Sequence, residues 1–219
     1  MLYGRRFPVR IAEIYASVQG ETRFAGLPCA LVRTTGCDLR CTWCDTAYAF
    51  EGGRDMSLDE IVAAVGVLGT RLVLLTGGEP MLQREIVALA ERLLAAEYQV
   101  MVETSGAHPV NVLPPEVVRI VDVKAPGSGE SHRMRWQVVD ELRSQDAAKY
   151  VLADEADYRW AVQVIQERGL ALRTEVLLSP VHGQLDPRLL VSWMLRDRVP
   201  ARLNLQLHKY LWGADAQGV

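Results

Sequence analysis

Several features are scarce in this sequence, and each scarcity excludes a class of protein. No run of about 18 apolar residues occurs, so a helical membrane span is not expected. There is no cationic excess. Lys and Arg number 24 against 27 Asp and Glu, a formal net charge of −3, which gives no basic footprint for bulk nucleic-acid binding. The first ten residues carry Arg5, Arg6 and Arg10 but no apolar core of a signal peptide, so no secretory leader is expected. Cysteine is limited to four, too few and too clustered for a disulfide framework, and a reducing, cytoplasmic setting fits better. Internal repeats and low-complexity linkers are absent. The 219 residues suit one sizeable domain spanning 1–219.

What is present is an alternation of strand and helix patterns. Val9 to Val18 alternates as a strand, Gln19-Gly20-Glu21-Thr22 breaks it, and Pro28 to Thr35 reads as a second strand. Ser57-Leu58-Asp59-Glu60 is a capping box that opens a helix, with Leu58, Ile61, Val62, Val65 and Leu68 at helical spacing. Arg71 to Leu75 is the continuous apolar run of a strand buried on both faces, ending in Thr76-Gly77-Gly78-Glu79-Pro80. A helix carrying Leu82, Ile86, Leu89 and Leu93 follows. Further strands are expected at Tyr98 to Val102, Val117 to Val123, Ala147 to Leu152, Ala171 to Leu178 and Arg202 to Leu207. Helices are expected from Asp154 to about Arg168, and from Asp186-Pro187 to about Asp197. This alternation predicts a sheet of about six strands, parallel with helical crossovers. Polar and glycine-rich clusters recur just after the strands, where such folds place their sites.

The chemistry concentrates in Cys37-Asp38-Leu39-Arg40-Cys41-Thr42-Trp43-Cys44-Asp45-Thr46. Three thiolates this close point to one metal centre. A structural zinc site normally takes four ligands, commonly as two separated pairs, and no second pair exists here. Cys29 lies within a strand pattern, and the four histidines are scattered. An iron–sulfur cluster usually wants four thiolates, so three leave one iron open to a ligand.

The spacing Cys-x3-Cys-x2-Cys, the aromatic Trp43 between the last two cysteines, and the Gly-Gly-Glu-Pro element at Gly77 to Pro80 resemble the radical S-adenosylmethionine superfamily. The resemblance extends through Gln19-Gly20-Glu21, Arg33, Cys44-Asp45-Thr46, Glu103-Thr104-Ser105-Gly106, Asp122-Val123-Lys124, Pro126-Gly127-Ser128-Gly129 and the run Gln206 to Gly213. Together these are similar to the 7-carboxy-7-deazaguanine synthase family. The resemblance implies an α/β fold, a partial (open) β/α barrel with mostly parallel strands of the radical SAM type. It implies conversion of 6-carboxy-5,6,7,8-tetrahydropterin to 7-carboxy-7-deazaguanine with loss of ammonia, on the way to queuosine and related deazapurines. It also implies a 4Fe-4S cluster, S-adenosylmethionine and Mg²⁺ as cofactors, a homodimer, and a reducing electron donor such as flavodoxin. The alternatives are a glycyl-radical-activating enzyme of the same superfamily and a non-catalytic zinc-binding module.

By position, the resemblance implies that Cys37, Cys41 and Cys44 hold the cluster and Thr46 the Mg²⁺. Trp43, Asp45, Gly78, Lys124 and Ser179 would line S-adenosylmethionine, with Glu79 and Ser105 nearby. Arg33 would pair with the substrate carboxylate, Val18, Gln19 and Gly20 with the pterin edge, and Thr76 and the carboxylate of Val219 would also reach substrate. From pattern alone, Arg33 reads equally as a surface arginine at a strand end, and Thr46 as a loop hydroxyl capping its own backbone. Two departures stand out. The family often reads Gln-Gly-Glu-Gly, whereas Thr22 takes the last place here, and threonine resists positive φ. Many members read Ser-Pro-Lys where this chain has Lys-Ala-Pro at 124–126.

Overall fold

Nine strands pair edge to edge in a computed structural model that describes residues 7–214 and 216–219. Strands β1 (Val9–Val18) and β2 (Pro28–Thr34) form an antiparallel hairpin. The short β3 (Arg54–Met56) pairs antiparallel on the outer side of β1. From β2 onward every pairing is parallel: β4 (Leu72–Gly77), β5 (Gln99–Thr104), β6 (Val118–Asp122), β7 (Ala147–Leu152), β8 (Glu175–Pro180) and the two-residue β9 (Arg202–Leu203). The order is β3-β1-β2-β4-β5-β6-β7-β8-β9. The end strands do not pair with each other, so the sheet is open, as the partial-barrel expectation requires.

Helices α1 (Leu58–Gly66), α2 (Ile86–Ala95), α3 (Trp136–Asp140), α4 (Glu155–Glu167) and α5 (Pro187–Asp197) lie in the connections, and α6 (Leu207–Trp212) follows β9. The capping box of α1 forms as read: the Ser57 hydroxyl accepts from the Glu60 amide, and the Ser57 amide donates to Glu60 at 2.7 Å. Asp154 and Asp186 likewise cap α4 and α5. The sheet has nine strands where the sequence pattern predicts about six parallel ones, and β1 pairs antiparallel with both its neighbours. Three further expectations shift. The helix expected to carry Leu82 is split, a 3-10 turn over Pro80–Leu82 preceding α2. Leu170–Leu172 is also a 3-10 turn, so β8 starts later than its apolar run. The final strand stops after two residues, and the rest of its expected span leads into α6. In each case a short apolar run lacks the length to fix its own type.

The two sheet faces are filled differently. The helix side carries the large core, with Val32, Val73, Leu75, Val100, Val102, Ala148 and Tyr150 packed on residues such as Ile61, Leu89, Leu93 and Ile165. The opposite face has a small apolar plug: Cys29, Leu72, Leu74, Met101, Val118 and Ile120, with Phe24 and Leu31 against it. Because strand side chains alternate with period two, each plug residue predicts what stands next on its own face. Leu31 is followed by Arg33, Leu74 by Thr76, Met101 by Glu103, and Ile120 by Asp122. In four adjacent strands the inner row turns from apolar to polar toward the C-terminal end. A cavity opens there.

Candidate active site

The cavity has a volume of about 590 Å³ and is lined by the polar strand ends, the cysteine loop and the C-terminal segment. All three clustered cysteines lie on its wall, and all are free thiols. Their loop is pinned at several points. The Gly36 amide donates to the Ala49 carbonyl at 2.8 Å, the Thr42 amide to the Ser128 carbonyl at 3.0 Å, and Leu39 is buried beneath. The Gly-Gly-Glu-Pro turn stacks directly on this loop. The Glu79 amide donates to the Gly36 carbonyl at 2.7 Å, and a Cβ on Gly78 would collide with that same carbonyl oxygen and crowd the Cys37 Cβ. Glycine at 78 is therefore required by close approach of two backbones.

The thiols suit a cluster. Burial pushes the Cys41 thiol up to about 11, against the pull of the nearby Lys124 ammonium, and burial raises Cys37 as well. Such groups stay protonated until a metal supplies the compensating charge. Cys29 lies in the apolar plug, fully buried and away from the cavity wall, so the wall offers three thiols. Among the described residues no three His, Cys, Asp or Glu side chains converge closely enough to hold a single ion. Three soft donors in one loop suit a multi-iron cluster with one iron open, where a closed zinc site would need a fourth ligand.

A row formed across three strands brings Arg33 and Thr76 to the same cavity. Glu13, Arg33 and Thr76 are register partners on β1, β2 and β4. Arg33 Nε donates to Glu13 Oε1 at 2.7 Å and Nη2 to the Tyr15 hydroxyl at 3.2 Å, while the Tyr48 ring lies 5.8 Å from its guanidinium carbon. Nη1 has no protein partner among the described residues, so one end of the fork remains available toward the cavity. Thr46 faces the same space, its hydroxyl donating to Asp45 Oδ1 at 3.0 Å. Val18, Gln19 and Gly20 line the wall at the end of β1. The Gln19 side chain is turned inward, its Oε1 accepting from the Glu21 amide at 3.0 Å.

The C-terminal segment forms the roof. The Leu207 amide donates to the Gly20 carbonyl at 2.9 Å, and His208 packs so tightly on Gly20 that a Cβ there would collide with its ring. Lys209 Nζ and Gln206 Nε2 both donate to Asp45 Oδ2, at 2.7 and 3.0 Å. Burial works against the Asp45 charge, but the Lys209 ammonium outweighs it and holds the carboxyl well below the usual range. Ala214, Ala216 and Val219 continue the roof to the chain end, with Gly218 near Glu13.

Of the residues singled out from sequence, Trp43, Asp45, Gly78, Ser105 and Lys124 all line the cavity. Lys124 Nζ donates to Asp122 Oδ2 at 2.9 Å. Two stand behind the wall. Glu79 is completely buried, and protein donors fill both its oxygens: Thr104 Oγ1 at 2.7 Å and the Met81 amide at 2.9 Å on Oε1, the Ser105 amide at 2.8 Å and hydroxyl at 2.5 Å on Oε2. It holds the wall residues Thr104 and Ser105 in place. Ser179 is also buried, its hydroxyl accepting from Asn204 Nδ2 at 2.8 Å. Thr22 does adopt positive φ, at 66°, despite its β-branch. The Asn204 side chain accepts from its amide at 2.8 Å, and its own hydroxyl accepts from the Phe24 amide at 3.2 Å, so tertiary bonds impose what local preference opposes.

Sequence reasoning gave no role to Tyr15, Tyr48 or Lys149, all on the wall, nor to Glu13, which braces Arg33 and Tyr48. A signal existed for Lys149, a lysine inside the otherwise apolar strand pattern Ala147 to Leu152.

The family model described as the Radical SAM superfamily matches residues 31–122, from β2 through the cysteine loop to the end of β6. A 7-carboxy-7-deazaguanine synthase of Koribacter versatilis is 45% identical over 96% of this chain and 100% of its own length. One from Chlorobaculum tepidum is 45% identical over 97% of this chain and 98% of its own. The crystal structure of QueE from Escherichia coli superposes with a TM-score of 0.76 at 22% identity, covering 92% of this chain and 95% of that one, which shows a shared fold.

Proposed function

Because the chain belongs to the 7-carboxy-7-deazaguanine synthase family of radical S-adenosylmethionine enzymes, we propose that it converts 6-carboxy-5,6,7,8-tetrahydropterin to 7-carboxy-7-deazaguanine with loss of ammonia. The observation that carries this reading is one cavity lined by three clustered thiols together with Arg33, Thr46 and Thr76. The chain acts as one domain over 1–219, as a carbon–nitrogen lyase in the route to queuosine and related 7-deazapurines.

Cys37, Cys41 and Cys44 hold the 4Fe-4S cluster, and Trp43, Asp45, Gly78, Ser105 and Lys124 line S-adenosylmethionine. Glu79 serves that site from behind, through Thr104 and Ser105, and Ser179 through Asn204. When bound, cluster and S-adenosylmethionine supply one-electron cleavage of a sulfonium and a radical able to take hydrogen from carbon. The protein's part is orientation. Arg33 is already braced by Glu13 and Tyr15, so its remaining N–H groups reach a substrate carboxylate with little rotamer freedom left to lose. Thr46 offers a hydroxyl oxygen to Mg²⁺, a cation that takes few protein ligands and keeps water or substrate oxygens. Val18, Gln19, Gly20 and Thr76 border the pterin. The roof at Leu207 to Val219 excludes water from the reacting centre, and the Val219 carboxylate reaches the substrate.

The enzyme works in the cytoplasm as a homodimer, with flavodoxin or a similar carrier as electron donor. Among the described residues no helix is long and apolar enough to cross a membrane.

The deciding experiment is an anaerobic assay of reconstituted protein with 6-carboxytetrahydropterin, S-adenosylmethionine, dithionite and Mg²⁺, read by absorbance and mass. We expect 7-carboxy-7-deazaguanine from the wild type, none from Cys41→Ala, and at least tenfold less from Thr46→Ala. Formation of 5′-deoxyadenosine with the pterin untouched would overturn the substrate and leave the superfamily.

A further inference from the structure

The floor of the cavity holds a lysine that no part of the reading above uses. Lys149 enters from β7, in register with Asp122 of β6, and its side chain is only 5% exposed. Its ammonium meets three carboxylates from three different elements. Glu21, in the turn after β1, lies at 2.9 Å. Glu103, at the end of β5, is hydrogen-bonded to it, and Asp122 Oδ2 lies at 3.9 Å. All four residues face the cavity.

The arrangement is directional. Two of the ammonium's three N–H donors go to Glu21 and Glu103, and Asp122 at 3.9 Å is an ion-pair neighbour beyond hydrogen-bond reach, so Lys149 has at most one donor left for a ligand. The carboxylates do have something left. Asp122 Oδ2 is taken by Lys124 at 2.9 Å, but Asp122 Oδ1 is buried with no partner among the described residues. A buried acceptor without a donor is costly and marks a place where a ligand supplies one. Three carboxylates against two ammoniums, Lys124 and Lys149, leave one negative charge over on this floor. An aminopyrimidinone ring carries N–H donors on its edge, the complement of such a surface. A purely structural ion-pair network would be closed on all sides, whereas this one is open toward the cavity.

We propose that Lys149 is a positioning residue for the reaction: from β7 it fixes Glu21, Glu103 and Asp122 as a floor of acceptors for the N–H and O–H donors of the bound substrate. The assignment rests on the cavity being the pterin site. Lys149 acts through its carboxylates, so its effect must depend on their presence.

That dependence is the test. Pterin affinity is measured by anaerobic equilibrium dialysis on enzyme loaded with cluster and S-adenosylmethionine, without reductant. We expect Lys149→Met to weaken binding at least tenfold in the wild-type background, and less than threefold when Glu103→Gln is already present. A residue that only supports the fold would give equal penalties in both backgrounds, and that result overturns the proposal. If Lys149→Met does not fold, Lys149→Gln, whose shorter neutral amide cannot replace the ammonium among three carboxylates, is taken through the same cycle with the same criterion. Wild-type enzyme that fails to bind the pterin at all overturns the functional reading together with this proposal. Binding with additive penalties overturns the role of Lys149 alone.

Discussion

Glu79 illustrates how a residue can serve a site without facing it. Two hydroxyls and two backbone amides donate to its carboxylate. A hydroxyl can rotate and accept instead; a backbone N–H cannot. In Glu79→Gln the amide nitrogen must therefore confront either the Met81 or the Ser105 N–H, whichever way the side chain is turned. We expect a loss of about 2–3 kcal/mol, the order of a missing charge-assisted bond plus an unpaired buried donor. Urea unfolding of the cluster-free protein reads it as a lower midpoint at unchanged slope. An unchanged midpoint would mean that the carboxylate is not needed as an acceptor. From sequence, the motif placed Glu79 correctly after a strand and beside the cysteine loop. Which way the carboxylate points was not legible, because that depends on Thr104 and Ser105, reached only through the parallel pairing of β4 with β5.

At the scale of elements, the strands that build the site were legible and its roof was not. The boundaries of β2, β4, β5 and β6 match the sequence to within a residue or two. The segment after β9 carries a weaker pattern, and its conformation is set by what it docks on. Gly20, Glu21 and Asp45 together supply its anchors, all more than 160 residues away in sequence. Lys209 is the charged anchor of α6, and its side chain is only 9% exposed. Removing it in Lys209→Met should loosen the roof without touching the cysteines. We expect the Michaelis constant for the pterin to rise about tenfold, the equivalent of one charge-assisted hydrogen bond of ~1.4 kcal/mol. Iron content should stay unchanged, and chymotrypsin should cut sooner at Tyr210 to Trp212. If protease sensitivity and Michaelis constant both stay at wild-type values, the ion pair to Asp45 does not hold the roof.

Across the whole molecule, the two sheet faces set different demands on stability. The helix-covered face supplies the large core, while the plug under the cavity is small, and one of its six buried members is Cys29. Sequence pattern placed Cys29 inside a strand, but not on which face, since a strand buried on both sides carries no alternation to read. Burial pushes this thiol up to about 12 from an ordinary 9.0, only partly offset by a backbone hydrogen bond. The folded state therefore keeps a proton that the unfolded chain gives up. The group's contribution to stability is complete below about pH 9 and is lost as pH rises from there toward 12. Within that window the linkage slope for one such group is about 1.4 kcal/mol per pH unit. Cluster-free wild-type protein should accordingly lose stability between pH 9 and 11 more steeply than Cys29→Ala, by roughly that slope. Alanine leaves a small void and lowers stability at every pH, so the quantity to compare is the slope and not the offset. Other alkaline groups, Lys149 among them, titrate equally in both proteins and cancel in the difference. Equal slopes would place the Cys29 thiol in contact with solvent, and the plug that separates the cavity floor from the base of the sheet would then not be closed.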